Sequence, residues 1–177
     1  MENPERHYGA DEPAVRPKPL FESTSKELSA ILVDLHNPIR SKTPFVPVAE
    51  ARGLPPDLSP EVAAWLARYA EDRRFEGCWC TAEELLEFDW TGRMMQREAM
   101  VESRVAHLFA GRRRGFPYKE RPSDLPIRYA TWMKDGIEVE WEESYAEIAF
   151  DFYSSVLPQL KLHGSPDEVR VVFIFCY

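Results

Sequence analysis

Glu168-Val169-Arg170-Val171-Val172-Phe173-Ile174-Phe175-Cys176-Tyr177 is the stretch that decides the fold. Both alternating sets of positions are apolar and only Arg170 interrupts them, the pattern of a strand buried on two faces. A chain whose last residues lie inside its own sheet is expected to leave little room for a C-terminal tail. The turn residues Ser165-Pro166-Asp167 lead into this strand, and Gly164 closes whatever helix precedes it.

Working backwards, Asp135-Gly136 carries a two-residue type I′ turn signal between apolar runs. It predicts a hairpin over about 127–141, with Trp132 facing Val139, Ala130 facing Trp141 and Glu138 and Glu140 on the wet side. Ser144 and Glu147 have capping-box spacing and open a helix that turns Tyr145, Ile148, Ala149, Phe152 and Val156 inward, until Pro158 kinks it. Thr81 and Glu84 repeat that spacing ahead of Leu85, Leu86 and Phe88. Further helices are predicted from Thr24, from Ser59-Pro60 with Val62, Trp65, Leu66 and Tyr69 inward, and over about 93–109, where Met94, Val101, Val105 and Leu108 form a stripe before Gly111. Prolines at 44, 47, 55 and 56 limit the intervening stretch to an edge strand at most.

These elements predict an α+β fold. Its antiparallel sheet combines the hairpin of about 127–141 with a C-terminal strand over 169–177, and about four or five helices pack on it. Residues 1–20, rich in Pro, Glu and Arg, are expected to be an irregular arm, and 21–177 one domain.

Charge and cysteine content narrow the function classes. Thirty acids against 22 Lys plus Arg give the 177-residue chain a net charge of -8, which on average repels duplex nucleic acid. Three cysteines in a chain large enough to fold without staples indicate a reducing, cytoplasmic setting. No run approaches the roughly 20 apolar residues that span a bilayer. Cys78-Trp79-Cys80 lacks the four ligands and the spacing of a structural zinc site. Both thiols are therefore expected to face inward as packing, with no metal and no cofactor. Trp79, Trp90 and Trp132 are expected in the core, and the four histidines have no partners at motif spacing.

The chemistry-bearing feature is the run Gly111-Arg112-Arg113-Arg114-Gly115-Phe116-Pro117-Tyr118-Lys119. Guanidinium groups grip phosphates bidentately, and an aromatic ring beside them stacks on a base. Arg112, Arg113, Arg114, Tyr118 and Lys119, together with Arg52, are thus the candidate ligand-binding residues. The alternative is that these cations follow a helix end and answer the acids between Asp135 and Asp151. No catalytic residue is assigned, because no phosphate loop, nucleophile elbow or His-Glu-x-x-His is present.

Three blocks carry a resemblance: Arg52-Gly53-Leu54-Pro55-x-Asp57-x-Ser59, then Trp79-x-Thr81-x-x-Glu84-Leu85-Leu86-x-x-Asp89-Trp90, then Pro166-Asp167-x-Val169-Arg170-Val171-Val172-Phe173. In this order they resemble a family of small proteins from bacterial and phage genomes without an assigned activity, over about Leu28 to the C-terminus. The chain departs from that pattern at Arg6-His7-Tyr8, where relatives open with an apolar Asp-Ile-His-like strand. It departs again at Glu76-Gly77-Cys78, where relatives carry a His-Ser pair. The resemblance brings no catalytic residues. What it implies is a phage-related, host-interacting role. The function expected is a non-catalytic binding protein that sequesters a phosphorylated, nucleotide-like small molecule or engages a host protein. The alternative is a small hydrolase or transferase with a loop-assembled site, and a homo-oligomer hiding an apolar hairpin face also stays open.

Overall fold

A computed structural model describes residues 19–34, 44–72, 75–111, 113–117 and 127–176. The arm expected over 1–20 lies outside these residues apart from Pro19 and Leu20. In chain order the elements are α1 (Lys26–Val33), α2 (Pro60–Asp72), β1 (Phe75–Thr81), α3 (Ala82–Glu87), β2 (Met94–Glu102) and α4 (Ser103–Ala106). Then come β3 (Arg113–Arg114), β4 (Tyr129–Ala130), β5 (Gly136–Ser144), α5 (Tyr145–Ile148), α6 (Phe150–Ser155), α7 (Leu157–Leu160) and β6 (Arg170–Cys176).

The fold is α+β, but its strands divide between two sheets, so the expected single sheet joining the hairpin to the C-terminal strand does not form, and β6, expected to be buried on both faces, is half-buried. The first is a two-stranded antiparallel ribbon of β1 and β6, in register from Phe75 opposite Cys176 to Thr81 opposite Arg170. Alternation along the ribbon sends Cys78, Cys80, Val171, Phe173 and Phe175 to one face, which packs on α1, Leu85, Trp90, Phe152 and Leu160. The second sheet has the order β3-β5-β2-β4, antiparallel except for the short parallel pairing of β3 with β5. Ala99, Val101, Val139 and Trp141 on its inner face meet Val105 and Phe109 in a smaller core.

Local chemistry explains the helix starts. Thr81 and Ser144 each accept a hydrogen bond from the backbone N–H three residues on, and their own N–H groups donate in turn to the Glu84 and Glu147 carboxylates. Both predicted capping boxes are therefore made. In α1 the cap is Ser25 rather than Thr24, with its Oγ 3.1 Å from Leu28 N. Pro158 stands in the first turn of α7 and separates it from α6, and Ala149, with φ -104° and ψ 33°, separates α6 from α5, so the expected long helix is three short ones. In α2 Leu66 is buried, Val62 and Trp65 are half-buried, and the Tyr69 side chain lies outside the described residues. Phe45 is buried but no strand forms there; Val48 and Ala49 N–H instead donate to Ile31 and Leu32 carbonyls at the end of α1.

Two further expectations are corrected. Residues 94–102 form β2, not the first half of a helix. Met, Gln, Arg, Glu and Ala favour helix, but pairing with β5 along nine consecutive positions overrides that preference. The pattern was hidden because Arg97 occupies the inner row between Met95 and Ala99.

The second correction concerns the hairpin of about 127–141. β2 lies between β4 and β5, so Tyr129 and Ala130 pair with Val101 and Met100, not with Trp141. A type I′ turn needs positive φ at both central residues. Here only Asp135 has it (φ 57°), and the turn closes one residue early, with Gly136 N–H donating to Met133 O at 3.0 Å. Trp132 consequently lies in the bend just before the turn, outside the paired strands, and is 75% exposed, against the expectation of burial.

Candidate functional site

Three segments far apart in sequence meet on the outer face of the β1–β6 ribbon: Arg52 to Asp57, Trp79 to Glu84, and Arg170. Because Cys78 and Cys80 point inward, Gly77, Trp79 and Thr81 point outward, and the register puts Val172 opposite Trp79 and Arg170 opposite Thr81. Residues Arg52 to Asp57 lie across this face as a strap. Leu54 sits over Gly77, where any Cβ would collide with its side chain. A side chain at this position would require the Leu54 side chain to turn away.

Two guanidinium groups stack on one indole. The Arg52 Cζ lies 4.9 Å from the Trp79 ring centroid and the Arg170 Cζ lies 5.1 Å from it. Each cation has a carboxylate partner. Arg52 grips Glu84 with both terminal nitrogens, its Nη1 3.0 Å from Oε2, and Arg170 Nη1 pairs with Asp57. The Arg52 N–H donates to Cys78 Sγ at 3.3 Å, tying the start of the strap to the inner face. Neither pair is buried: the side chains of Arg52 and Arg170 are 34% and 40% exposed.

The electrostatics follow from these contacts. Burial opposes ionisation of Glu84, but the Arg52 guanidinium and the Thr81 N–H outweigh it and hold the carboxyl below its usual range. The hydrogen bond from Arg170 likewise lowers Asp57. Depressed carboxylates contribute stability above their unfolded values, and that contribution disappears as the pH falls through the folded values. Glu84→Gln should therefore cost about 0.2–1 kcal/mol at neutral pH. The cost should shrink at strongly acid pH, as the pH falls through the folded value of Glu84. Urea unfolding at the two pH values checks this, and an equal loss at both would refute the ionic account.

The Cys80 thiol beneath the site is inert. Burial, reinforced by Glu84 and Cys78 and opposed by Arg52, pushes Cys80 up to about 12. A protonated thiol is neither a nucleophile nor a metal ligand. Among the described residues no group of His, Cys, Asp or Glu is arranged to hold a metal ion. An alkylating reagent at about pH 8, near a free thiol's own value, should label Cys80 only after unfolding. Rapid labelling of the native protein, read by peptide mass mapping, would contradict the burial.

The arginine run stands elsewhere. Arg113 and Arg114 form β3 at the edge of the larger sheet, where Phe116 packs on Phe109 and Trp141 at ring-centroid distances of 5.5 and 5.4 Å. The Arg114 side chain is 82% exposed with Nε 3.9 Å from Glu142 Oε2, so this cation does answer an acid of β5. Arg112, Tyr118 and Lys119, and the side chain of Arg113, lie outside the described residues. Arg52 thus lies against the smaller sheet, whereas Arg114 is in the larger one. Trp79, Glu84, Asp57 and Arg170 were not assigned to a site from sequence; their membership in the three blocks was the available signal.

No protein-family model, curated protein or solved structure matches this chain. Among the described residues no helix is long and apolar enough to cross a membrane.

Proposed function

We propose that this chain is a non-catalytic binding protein that takes a phosphorylated, nucleotide-like small molecule on the strapped face of the β1–β6 ribbon. The observation that carries the proposal is the pair of partly exposed guanidiniums over Trp79, drawn from two segments far apart in sequence. Exposed ion pairs contribute about 0–1 kcal/mol, so a phosphate dianion can displace a side-chain carboxylate from them. Asp57 is the replaceable partner. Glu84 is held a second time by its capping box, whereas the described partner of the Asp57 carboxylate is Arg170. Displacement of Asp57 frees Arg170 for bidentate phosphate contact, while the planar guanidinium of Arg52 offers a stacking surface to a base. The buried, reduced thiols support a cytoplasmic setting.

Calorimetric titration with a nucleoside monophosphate, inorganic phosphate and the unphosphorylated nucleoside tests the proposal. The monophosphate should bind best and be recovered unchanged after denaturation. Each charge-assisted bond lost in Arg52→Ala or Arg170→Ala should weaken binding by about 1.5–3 kcal/mol, tenfold or more. Added salt should weaken it as well. Equal affinity for nucleoside and monophosphate, or turnover of the ligand, would overturn it.

A further inference from the structure

The two cations over Trp79 are not held alike. Arg52 grips a carboxylate that is fixed a second time by the Thr81 N–H, 2.9 Å from Glu84 Oε2, and its own backbone N–H is tied to Cys78 Sγ. Arg170 comes from β6, and among the described residues its carboxylate partner is Asp57, at the far end of the strap. The Asp57 side chain is 60% exposed. Earlier in the strap Leu54 is half-buried and Pro55 buried, so the backbone stays packed down while the Asp57 side chain can turn into solvent. One ion pair is therefore fixed, and the other opens without unfolding anything.

Building on the phosphate reading of this face, we infer that Asp57 is an autoinhibitory contact, an intramolecular carboxylate that occupies the place on Arg170 taken by the ligand's phosphate. The strap presents this competitor at a high effective concentration, because it is anchored at Arg52 and runs into α2 at Pro60. A site that is only fractionally open binds more weakly by that fraction. An exposed pair favours its closed form by about one- to fivefold, so the wild type should bind phosphate about two- to sixfold more weakly than a chain without the carboxylate. The contact also sets a threshold on ligand chemistry. A free carboxylate offers Arg170 nothing that Asp57 does not already supply, whereas a phosphate dianion brings more charge and a further terminal oxygen. The site therefore stays closed to simple carboxylates and opens for phosphate.

Calorimetric titration with inorganic phosphate and a nucleoside monophosphate, on wild type, Asp57→Ala, Arg170→Ala and the double variant, tests the contact. Asp57→Ala should tighten binding of both probes about two- to sixfold. In the Arg170→Ala background the same change should have no effect, because no cation is left to release. Removing a negative charge near an anion would by itself tighten binding in both backgrounds, so an equal gain in both would overturn the inference. Phenylglyoxal, which attacks unpaired guanidinium groups, supplies a readout without ligand. It should label Arg170 faster in Asp57→Ala than in wild type and leave Arg52 unchanged, as read by peptide mass mapping. An Arg170 rate that does not rise would also overturn the inference. Probes that bind wild type and Asp57→Ala equally would remove the autoinhibition and leave the binding face standing. Probes that bind none of the four chains would remove the binding face, and the inference with it.

Discussion

Arg97→Leu is expected to destabilise the protein by about 3–5 kcal/mol, the usual cost of leaving one member of a buried ion pair without its partner. Arg97 is a cation in the inner row of β2, with Nη1 2.6 Å from Glu27 Oε1 on α1 and Nε 3.5 Å from Glu143 Oε2 on β5. It ties the first helix to the larger sheet. Glu143 is buried, and that burial holds its carboxyl above the usual range; Arg97 pulls the other way, and the charges of Glu27 and Glu147 push it up further. A carboxyl raised on folding binds protons more tightly in the native state, so stability falls as the pH rises through its folded value. Without Arg97 that effect grows. The deficit of the variant should be smallest in acid, where Glu143 is protonated, and should increase towards neutral pH. Adding Glu143→Gln should recover most of it, because no buried charge then remains. Urea unfolding of both variants across the acid range checks the account, and a deficit independent of pH would contradict it.

A second large loss, again about 3–5 kcal/mol, is expected for Trp90→Ala. Trp90 is 3% exposed and lies at the centre of the main core, with ring centroids 5.2 Å from Phe88, 5.8 Å from Phe152 and 6.2 Å from Tyr153. Its Nε1–H donates to the Leu85 carbonyl at 2.8 Å, closing the end of α3. Ala146 N–H donates to the Trp90 carbonyl at 2.8 Å, so the same residue positions α5. Trp90→Phe keeps an aromatic ring but leaves the Leu85 carbonyl without its donor, and should cost about 1–3 kcal/mol. Denaturant unfolding monitored by circular dichroism separates the two. A phenylalanine variant as stable as wild type would mean that water replaces the indole donor.

Much of this architecture was legible because its signals are local. The Thr81–Glu84 and Ser144–Glu147 boxes, the inward thiols of Cys78 and Cys80, and the terminal strand all depend on neighbours within a few residues. β2 was not legible, since its residues favour helix and only β5, more than thirty positions away, makes them a strand. The Asp135-Gly136 signal did mark a turn, but which strand lies beside β5 is settled by sheet order, which dipeptides do not encode. The site was half visible. Arg52 was chosen as a ligand cation, yet its stacking with Trp79 and the approach of Arg170 depend on a strap that joins segments more than a hundred residues apart.

The most direct measurement of the binding account is the indole N–H region of a nitrogen–proton correlation spectrum. The chain has five tryptophans, and Trp79→Phe identifies the signal of interest. Titration with a nucleoside monophosphate should move the Trp79 signal saturably, leave those of Trp90 and Trp141 in place, and lose the response in Arg170→Ala. A Trp79 signal that stays fixed while the ligand binds, or that moves equally well in Arg170→Ala, would contradict the assignment of the ribbon's outer face as the binding surface.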